Sequence, residues 1–205
     1  MIQNDVIRLV PADVSLAEAV LAYYRRNRDF LRPFEPVREE DFFTLARQRE
    51  LLQKEMGERQ QKTAFRFYIV PVEQPCHVIG SIALGTVVWA AFRSCFLGYK
   101  LDRDYLNRGY MTGAVGLVVD YAFRELRLHR VEANVMPRNS ASLRVLEKNH
   151  FQNEGLARHY LNINGVWEDH IHMVKLNEAM HRPPADGGDK DRREIAAVEL
   201  RTGQK

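Results

Sequence analysis

The stretch LGYKLDRDYLNRGYMTGA, residues 97–114, decides the fold. It reads as a strand, a polar turn and the beginning of a helix, with Gly109 at the turn. Beyond it Met111, Ala114, Val115, Val118, Ala122 and Leu126 recur at helical spacing. A strand that runs into a helix through a turn with a glycine and small residues presents bare backbone N–H groups at the helix N-terminus. Unpaired donors and the helix dipole point the same way there, which favours phosphate. The sequence therefore predicts a chain that holds a phosphorylated ligand.

The rest of the chain narrows the class. Its 205 residues suffice for one domain with a full core. Hydrophobic residues make up 45% and charged residues 28%, the balance of a soluble globular protein. A net charge of +3 is too small for a nucleic-acid footprint, so no DNA partner is expected, yet it does not repel an anionic cofactor. Cys76 and Cys95 stand in no metal or redox spacing. They read as two reduced thiols in a cytosolic protein or as one disulfide in a secreted one. The start, MIQNDVIRLV, lacks the basic region and apolar run of a signal peptide, and no apolar stretch reaches membrane-spanning length. A cytoplasmic protein without a membrane partner is expected.

Outward from the glycine turn, Val6–Val10 predicts a first strand ended by Pro11, and Ser15–Arg26 a helix. NRDFLRPFEPVREED follows, and Pro33 and Pro36 keep it from being helical throughout. A long polar helix is expected from about Glu39 to Gln61. Strands are expected at Ala64–Val70, His77–Val88 and Ser94–Leu101, then the helix Gly109–Leu126 and a strand Arg130–Val135. Asn139 reads as the N-cap of the next helix. Asn164-Gly165 is a strong hairpin signal between two final strands. The order predicts a mixed α/β (α+β) sheet, largely antiparallel in its first half, with a crossover in the middle. The domain is expected over 1–177, with a polar, flexible tail over 178–205.

Three phosphate-binding patterns can be tested. A P-loop needs GxxxxGK[ST], which is absent, and a dinucleotide fingerprint needs GxGxxG near a first strand, whereas Gly109, Gly113 and Gly116 have other spacing. The acyl-CoA loop, [QR]xxGx[GA], overlays Leu106-Asn107-Arg108-Gly109-Tyr110-Met111 with Gly109 in register. Four stretches carry a wider resemblance: NRDFLRPFEPVREEDFF (27–43), LGYKLDRDYLNRGYMTGAV (97–115), HRVEANVMPRNSASLRVLEKNHF (129–151) and YLNINGVWEDH (160–170). In them the chain resembles the GNAT superfamily, and within it the RimJ/RimL-type ribosomal-protein-alanine N-acetyltransferases, over about residues 5–176.

The resemblance implies a sheet whose central strands splay at a bulge and admit the pantetheine arm of acetyl-CoA along an edge, here Phe96–Leu101, with Leu97, Gly98 and Leu101 as binding residues. It implies a pyrophosphate held by the N–H groups of Asn107, Arg108, Gly109, Tyr110, Met111 and Thr112, with Arg103 and Arg108 adding charge. The Tyr99 backbone N–H becomes the candidate oxyanion donor. Ser142, in the first turn after Asn139, becomes the candidate proton donor to the CoA sulfur, and Asn139 a pantetheine contact. Phe34 and Glu35 match the substrate-side loop, and Trp167 and Asp169 border the acceptor cleft. The implied acceptor is a protein or peptide N-terminus, plausibly that of a small-subunit ribosomal protein, and the implied state a monomer or homodimer. No metal is expected: His170 and His172 share a strand face without a third ligand at suitable spacing.

The chain departs from the pattern at three places. Leu106 stands where Gln or Arg opens the loop, Gly113 where relatives carry a glutamate, and Leu161 where RimL-like enzymes carry a base glutamate. The base is therefore open between Glu132, whose plainer reading is a solvated or ion-paired strand residue, and Asp169. Two other functions compete: a GNAT acetylating a small-molecule amine, and a CoA-binding protein without catalysis.

Overall fold

The third long apolar run, at residues 65–71, shows how the chain divides its interior. Phe65, Phe67 and Ile69 join one core with Val115, Val118 and Leu146. Tyr68 and Val70 join another with Val20, Tyr23 and Leu52. A strand that is apolar on both faces must be covered by helices on both.

The structure is a computed structural model and describes residues 2–180. Its strands are β1 (Ile2–Gln3), β2 (Ile7–Pro11), β3 (Phe65–Pro71), β4 (Gly80–Val88), β5 (Ser94–Leu101), β6 (Arg130–Val135), β7 (Gln152–Ile163) and β8 (Val166–Leu176). They form one sheet in the order β1-β2-β3-β4-β5-β6-β8-β7. Its helices are α1 (Ala17–Arg26), α2 (Arg28–Leu31), α3 (Leu45–Gln60), α4 (Tyr110–Arg124) and α5 (Ser140–Lys148). Helices α1 and α3 cover one face, α4 and α5 the other. Neighbouring strands are antiparallel except β5 and β6, which run parallel because α4 crosses between them. This is the mixed, mostly antiparallel α/β architecture that the sequence predicts.

Several boundaries differ from expectation for local reasons. β1 was not legible: its two residues pair with β2 because Asn4 turns the chain, its Oδ1 accepting the N–H groups of Val6 and Ile7 at 2.9 Å each. The long polar helix begins at Leu45 rather than near Glu39. Thr44 caps it by accepting the Arg47 N–H, and a 3-10 turn over Glu40–Phe43 precedes it and buries Phe42. The proline-bearing segment is broken as expected, into α2 and a 3-10 turn over Arg32–Phe34. The hairpin turn is Asn164-Gly165, with φ of 53° and 89°, the left-handed pair that Asn-Gly supplies. Both cysteines are free, Cys76 exposed and Cys95 buried. The tail expected over 178–205 lies from residue 181 onward outside the described residues, and Glu178–Met180 form a 3-10 turn.

The decisive departure from a regular sheet is between β5 and β6. They share three pairs, Ser94–Arg130, Cys95–Val131 and Phe96–Glu132, and then part. β5 stays with β4 as far as Leu101, and β6 with β8 as far as Val135. A bulge lies beside the parting, where the β4–β5 register shifts between Gly85 and Val88. Phe96 is still paired, so the open edge begins at Leu97, one residue later than expected.

Asp102 fixes the far end of that edge. Its N–H donates to Ile79 O at 2.7 Å, and its fully buried carboxylate accepts from Arg26 Nε at 2.6 Å and from the Asp104 N–H at 3.0 Å. Burial works to raise its pKa, but hydrogen bonds with Asn27, the Asp104 amide and Arg26 outweigh it and hold the carboxyl below its ordinary value. Asp102→Asn is expected to cost about 3 kcal/mol at pH 7, read by urea denaturation, because it leaves Arg26 without its partner. With the folded pKa below the unfolded one (about 3.9), the contribution is complete above that unfolded value and is lost as pH falls through the folded pKa. The stability gap between wild type and variant should therefore close in acid.

Candidate active site

The Asp102–Ile79 bond sets the alternation along β5. Phe96, Gly98 and Lys100 turn their main-chain groups to β4, while Leu97, Tyr99 and Leu101 turn theirs to the side that β6 leaves. Tyr99 and Leu101 lie past the last β5–β6 pair. They form a short free strand edge inside the sheet, a template for an extended, amide-bearing molecule. The side chains of Leu97 and Leu101 anchor this edge in the α4–α5 core. Gly98, expected to touch the cofactor, spends its polar groups on Ala83 in β4, and a Cβ built on it meets nothing within 4 Å.

From Leu101 the chain passes through Asp102 and a 3-10 turn, Arg103–Tyr105, to Gly109. Gly109 has φ +80° and ψ −5°, and it caps α4 without a side-chain bond. A residue with a Cβ is strained in that left-handed conformation, which accounts for the glycine. Asn107 is left-handed too, at φ +59°, as asparagine tolerates. Tyr110, Met111 and Thr112 are the first residues of α4, so their N–H groups have no acceptor inside the helix. Arg103 and Arg108 stand exposed at this loop. The expected cradle of amides is thus continuous with the free edge. At Gly113 a Cβ would lie 3.1 Å from Asn4 Nδ2, so the turn between β1 and β2 packs tightly against this point of α4.

At the other wall of the gap, Asn139 caps α5 as expected, its Oδ1 accepting the Ser142 N–H at 3.1 Å. Ser142 Oγ lies 2.8 Å from Tyr99 Oη, and Tyr99 Oη also donates to Ser142 O at 3.2 Å. The two residues singled out for chemistry are therefore in contact, through a side chain of Tyr99 that the sequence reading did not use. Burial pushes the Tyr99 phenol up to about 12, with the Ser142 hydrogen bond pulling the other way, so it stays a donor at neutral pH. Cys95, at the apex of the parting, is a buried thiol also pushed up to about 12 by burial.

The opposite face of β5 borders a cleft of about 270 Å³ lined by Phe34, Glu35, Ser81, Ala83, Gly98 and Lys100, among others. Phe34 and Glu35, which the resemblance assigns to the substrate side, line this cleft. Lys100 Nζ donates to Glu35 Oε2 at 2.8 Å and stands 4.9 Å from the Tyr24 ring centroid. The hairpin tip reaches the same segment: Asn164 Oδ1 accepts the Val37 N–H at 2.7 Å, and Asn164 Nδ2 donates to Glu35 O at 3.0 Å. Ser81, Lys100 and Asn164 were missed by the sequence reading. Only Asn164-Gly165 left a signal, as a turn.

The remaining candidates sit elsewhere. Trp167 is exposed, Asp169 accepts the His159 N–H at 2.8 Å where β7 bulges, and neither lines the cleft. Glu132 is committed on both oxygens, Oε2 to Arg130 at 2.8 Å and Oε1 to His172 Nδ1 at 3.2 Å. Arg130 is shared with Glu154, at 2.6 Å. Its plainer reading, an ion-paired strand residue, matches this geometry. His170 and His172 both pack against Tyr160. Leu161 is 42% exposed and faces Glu168 across the hairpin.

Comparison with known proteins agrees with this layout. Residues 7–152 match the acetyltransferase (GNAT) domain family. The chain is 42% identical over 177 residues to "Probable N-acetyltransferase YjcK" of Bacillus subtilis (strain 168), covering 86% of this chain and 97% of that protein. It is 34% identical over 149 residues to the [ribosomal protein uS5]-alanine N-acetyltransferase of Escherichia coli (strain K12), covering 73% and 76%. The crystal structure of ribosomal-protein-S5-alanine acetyltransferase from Vibrio fischeri superimposes with a TM-score of 0.80 at 34% identity, over 88% of this chain and 97% of the other. RimJ of Mycobacterium smegmatis, in complex with a CoA disulfide, shares the fold with a TM-score of 0.76 at 24% identity over 95% of each chain. The chain belongs to the GNAT family and is an acetyl-CoA-dependent N-acetyltransferase.

Proposed function

We propose that this enzyme acetylates the N-terminal α-amine of a protein, of the ribosomal-protein-alanine kind, by direct attack on the thioester of acetyl-CoA. The observation that carries the reading is that β5 presents its free edge to the gap and Gly98 to the cleft, so donor and acceptor meet across one strand. The relatives named as ribosomal-protein-alanine acetyltransferases support the choice of acceptor.

In this reading the amides from Asn107 to Thr112 hold the pyrophosphate. The Leu97–Leu101 edge and the free Nδ2 of Asn139 hold the pantetheine arm. The attacking nitrogen must be neutral. A peptide α-amine has a pKa near about 8 and a lysine side chain about 10.4, so at neutral pH the α-amine offers several hundred times more nucleophile. The Tyr99 N–H, on the gap side of β5, receives the oxyanion. The Tyr99 phenol holds the Ser142 hydroxyl, which lends its proton to the departing sulfur at the α5 N-terminus, where the helix dipole also favours a thiolate.

Release of free thiol from acetyl-CoA is expected with peptides beginning in alanine and not with the same peptides N-acetylated. Preference for a polyamine, aminoglycoside or amino acid in the same panel would replace the peptide reading. Ser142→Ala should lower kcat by about 100-fold, the lower range for lost acid–base catalysis, with acetyl-CoA affinity unchanged by calorimetry.

Gly98→Val supplies a second check on the geometry. The new side chain has open space, so folding should be unaffected, but it fills the cleft. Acceptor KM is expected to rise about tenfold or more, the cost of a methyl group or two misplaced in a pocket, with acetyl-CoA KM unchanged.

A further inference from the structure

The proton acceptor for the incoming amine is the unassigned part of the site, and the structure separates the carboxylates by what each is already doing. Glu132 has a partner on each oxygen, Arg130 on Oε2 and His172 on Oε1. Asp169 accepts a main-chain N–H of the neighbouring strand and does not line the cleft. Glu35 is different. Its Oε2 accepts from Lys100 at 2.8 Å and from Arg38 at 3.3 Å, whereas its Oε1 is buried with no hydrogen-bond partner among the described residues. Ser81 Oγ, which lines the same cleft, is likewise buried and unpartnered.

A buried polar atom left without a partner costs about 1–3 kcal/mol, more when charged. Arg66 Nε, at the same cleft, is met by the Glu55 carboxylate at 2.8 Å, so the two acceptor oxygens are what call for a ligand. An alkylammonium brings three N–H donors, which suits a cleft lined by both a carboxylate and a hydroxyl. We infer that Glu35 binds the α-ammonium of the acceptor through Oε1 and takes its proton, with Ser81 Oγ as a second acceptor and Lys100 and Asn164 as positioning residues. This assignment rests on the acetyl-transfer reading above.

One proton leaves the ammonium for Glu35 Oε1 and later passes to water. The neutral nitrogen forms its bond to the carbonyl carbon, and the carbon–sulfur bond breaks. The second proton lost by nitrogen ends on sulfur, with Ser142 as the donor that is reprotonated. Lys100 leaves Oε1 open by occupying Oε2. Asn164 holds the Glu35 carbonyl and the Val37 amide, so the hairpin tip fixes the backbone from which the carboxylate projects.

The test compares the full-length wild type with Glu35→Gln and Asn164→Gly on an alanine-terminated peptide. Glycine keeps the left-handed turn at position 164 while removing both side-chain bonds. Glu35→Gln is expected to raise acceptor KM and to lower kcat, together by about 100-fold at pH 7, with acetyl-CoA KM unchanged. The deficit should shrink to less than tenfold near pH 9.5, where solvent already deprotonates the amine. Asn164→Gly should raise acceptor KM about fivefold and leave acetyl-CoA KM alone.

Wild-type rates in Glu35→Gln, or a deficit that does not change with pH, would overturn the assignment while leaving the acetyl-transfer reading intact. A wild-type enzyme that releases no thiol with any amine would sink that reading, and the assignment with it.

Discussion

Everything at the site depends on β5 and β6 ceasing to share hydrogen bonds after Phe96 and Glu132. β6 cannot follow β5 because its other edge is bound to β8 through Val135. β5 cannot follow β6 because β4 holds it through Leu101 and Asp102 pins its end to Arg26 and Ile79. Each strand is tied on its outer side, so the inner sides open. A main-chain edge buried in a sheet is costly unless something pairs with it, and that cost becomes binding energy for a molecule that can. β5 then serves three ways: its edge to the gap, Leu97 and Leu101 to the core, Gly98 and Lys100 to the cleft.

The division between main-chain and side-chain work explains which departures from the family pattern the fold absorbs. The phosphate cradle we propose is built from amides, and the shape of its loop comes from the left-handed backbone at Asn107 and Gly109. Leu106 can therefore replace a polar residue without altering the donors. Gly113 is absorbed differently, since Asn4 packs into the space a larger side chain would need. The thiol end and the cleft rely instead on side chains, namely Tyr99 with Ser142 and Glu35 with Lys100, and tolerate less.

This division also decides how much was legible. The strand, glycine turn and helix over 97–126, the Asn139 cap and the Asn164-Gly165 hairpin are local, and composition plus period reveal them. The extent of the polar helix was misread because Thr44, a cap, interrupts a run whose charge pattern continues through it. β1 escaped because two residues show no period. The contacts that build the site join residues far apart in the chain: Tyr99 to Ser142, Glu35 to Lys100, Arg26 to Asp102, Asn164 to Glu35 and Val37. They follow from sheet order, and that order, with β8 inserted between β6 and β7, is set by which faces bury one another rather than by spacing along the chain. The same limit hid the partners of Glu132.

The buried thiol at the apex of the parting has its own consequence. A thioester acylates a thiolate that it can reach, and Cys95 stands two residues before the free edge begins at Leu97. Burial pushes its pKa up to about 12, so the sulfur stays protonated at neutral pH. Burial therefore guards the thiol against transthioesterification in two ways, by enclosing the side chain in the core and by keeping it protonated.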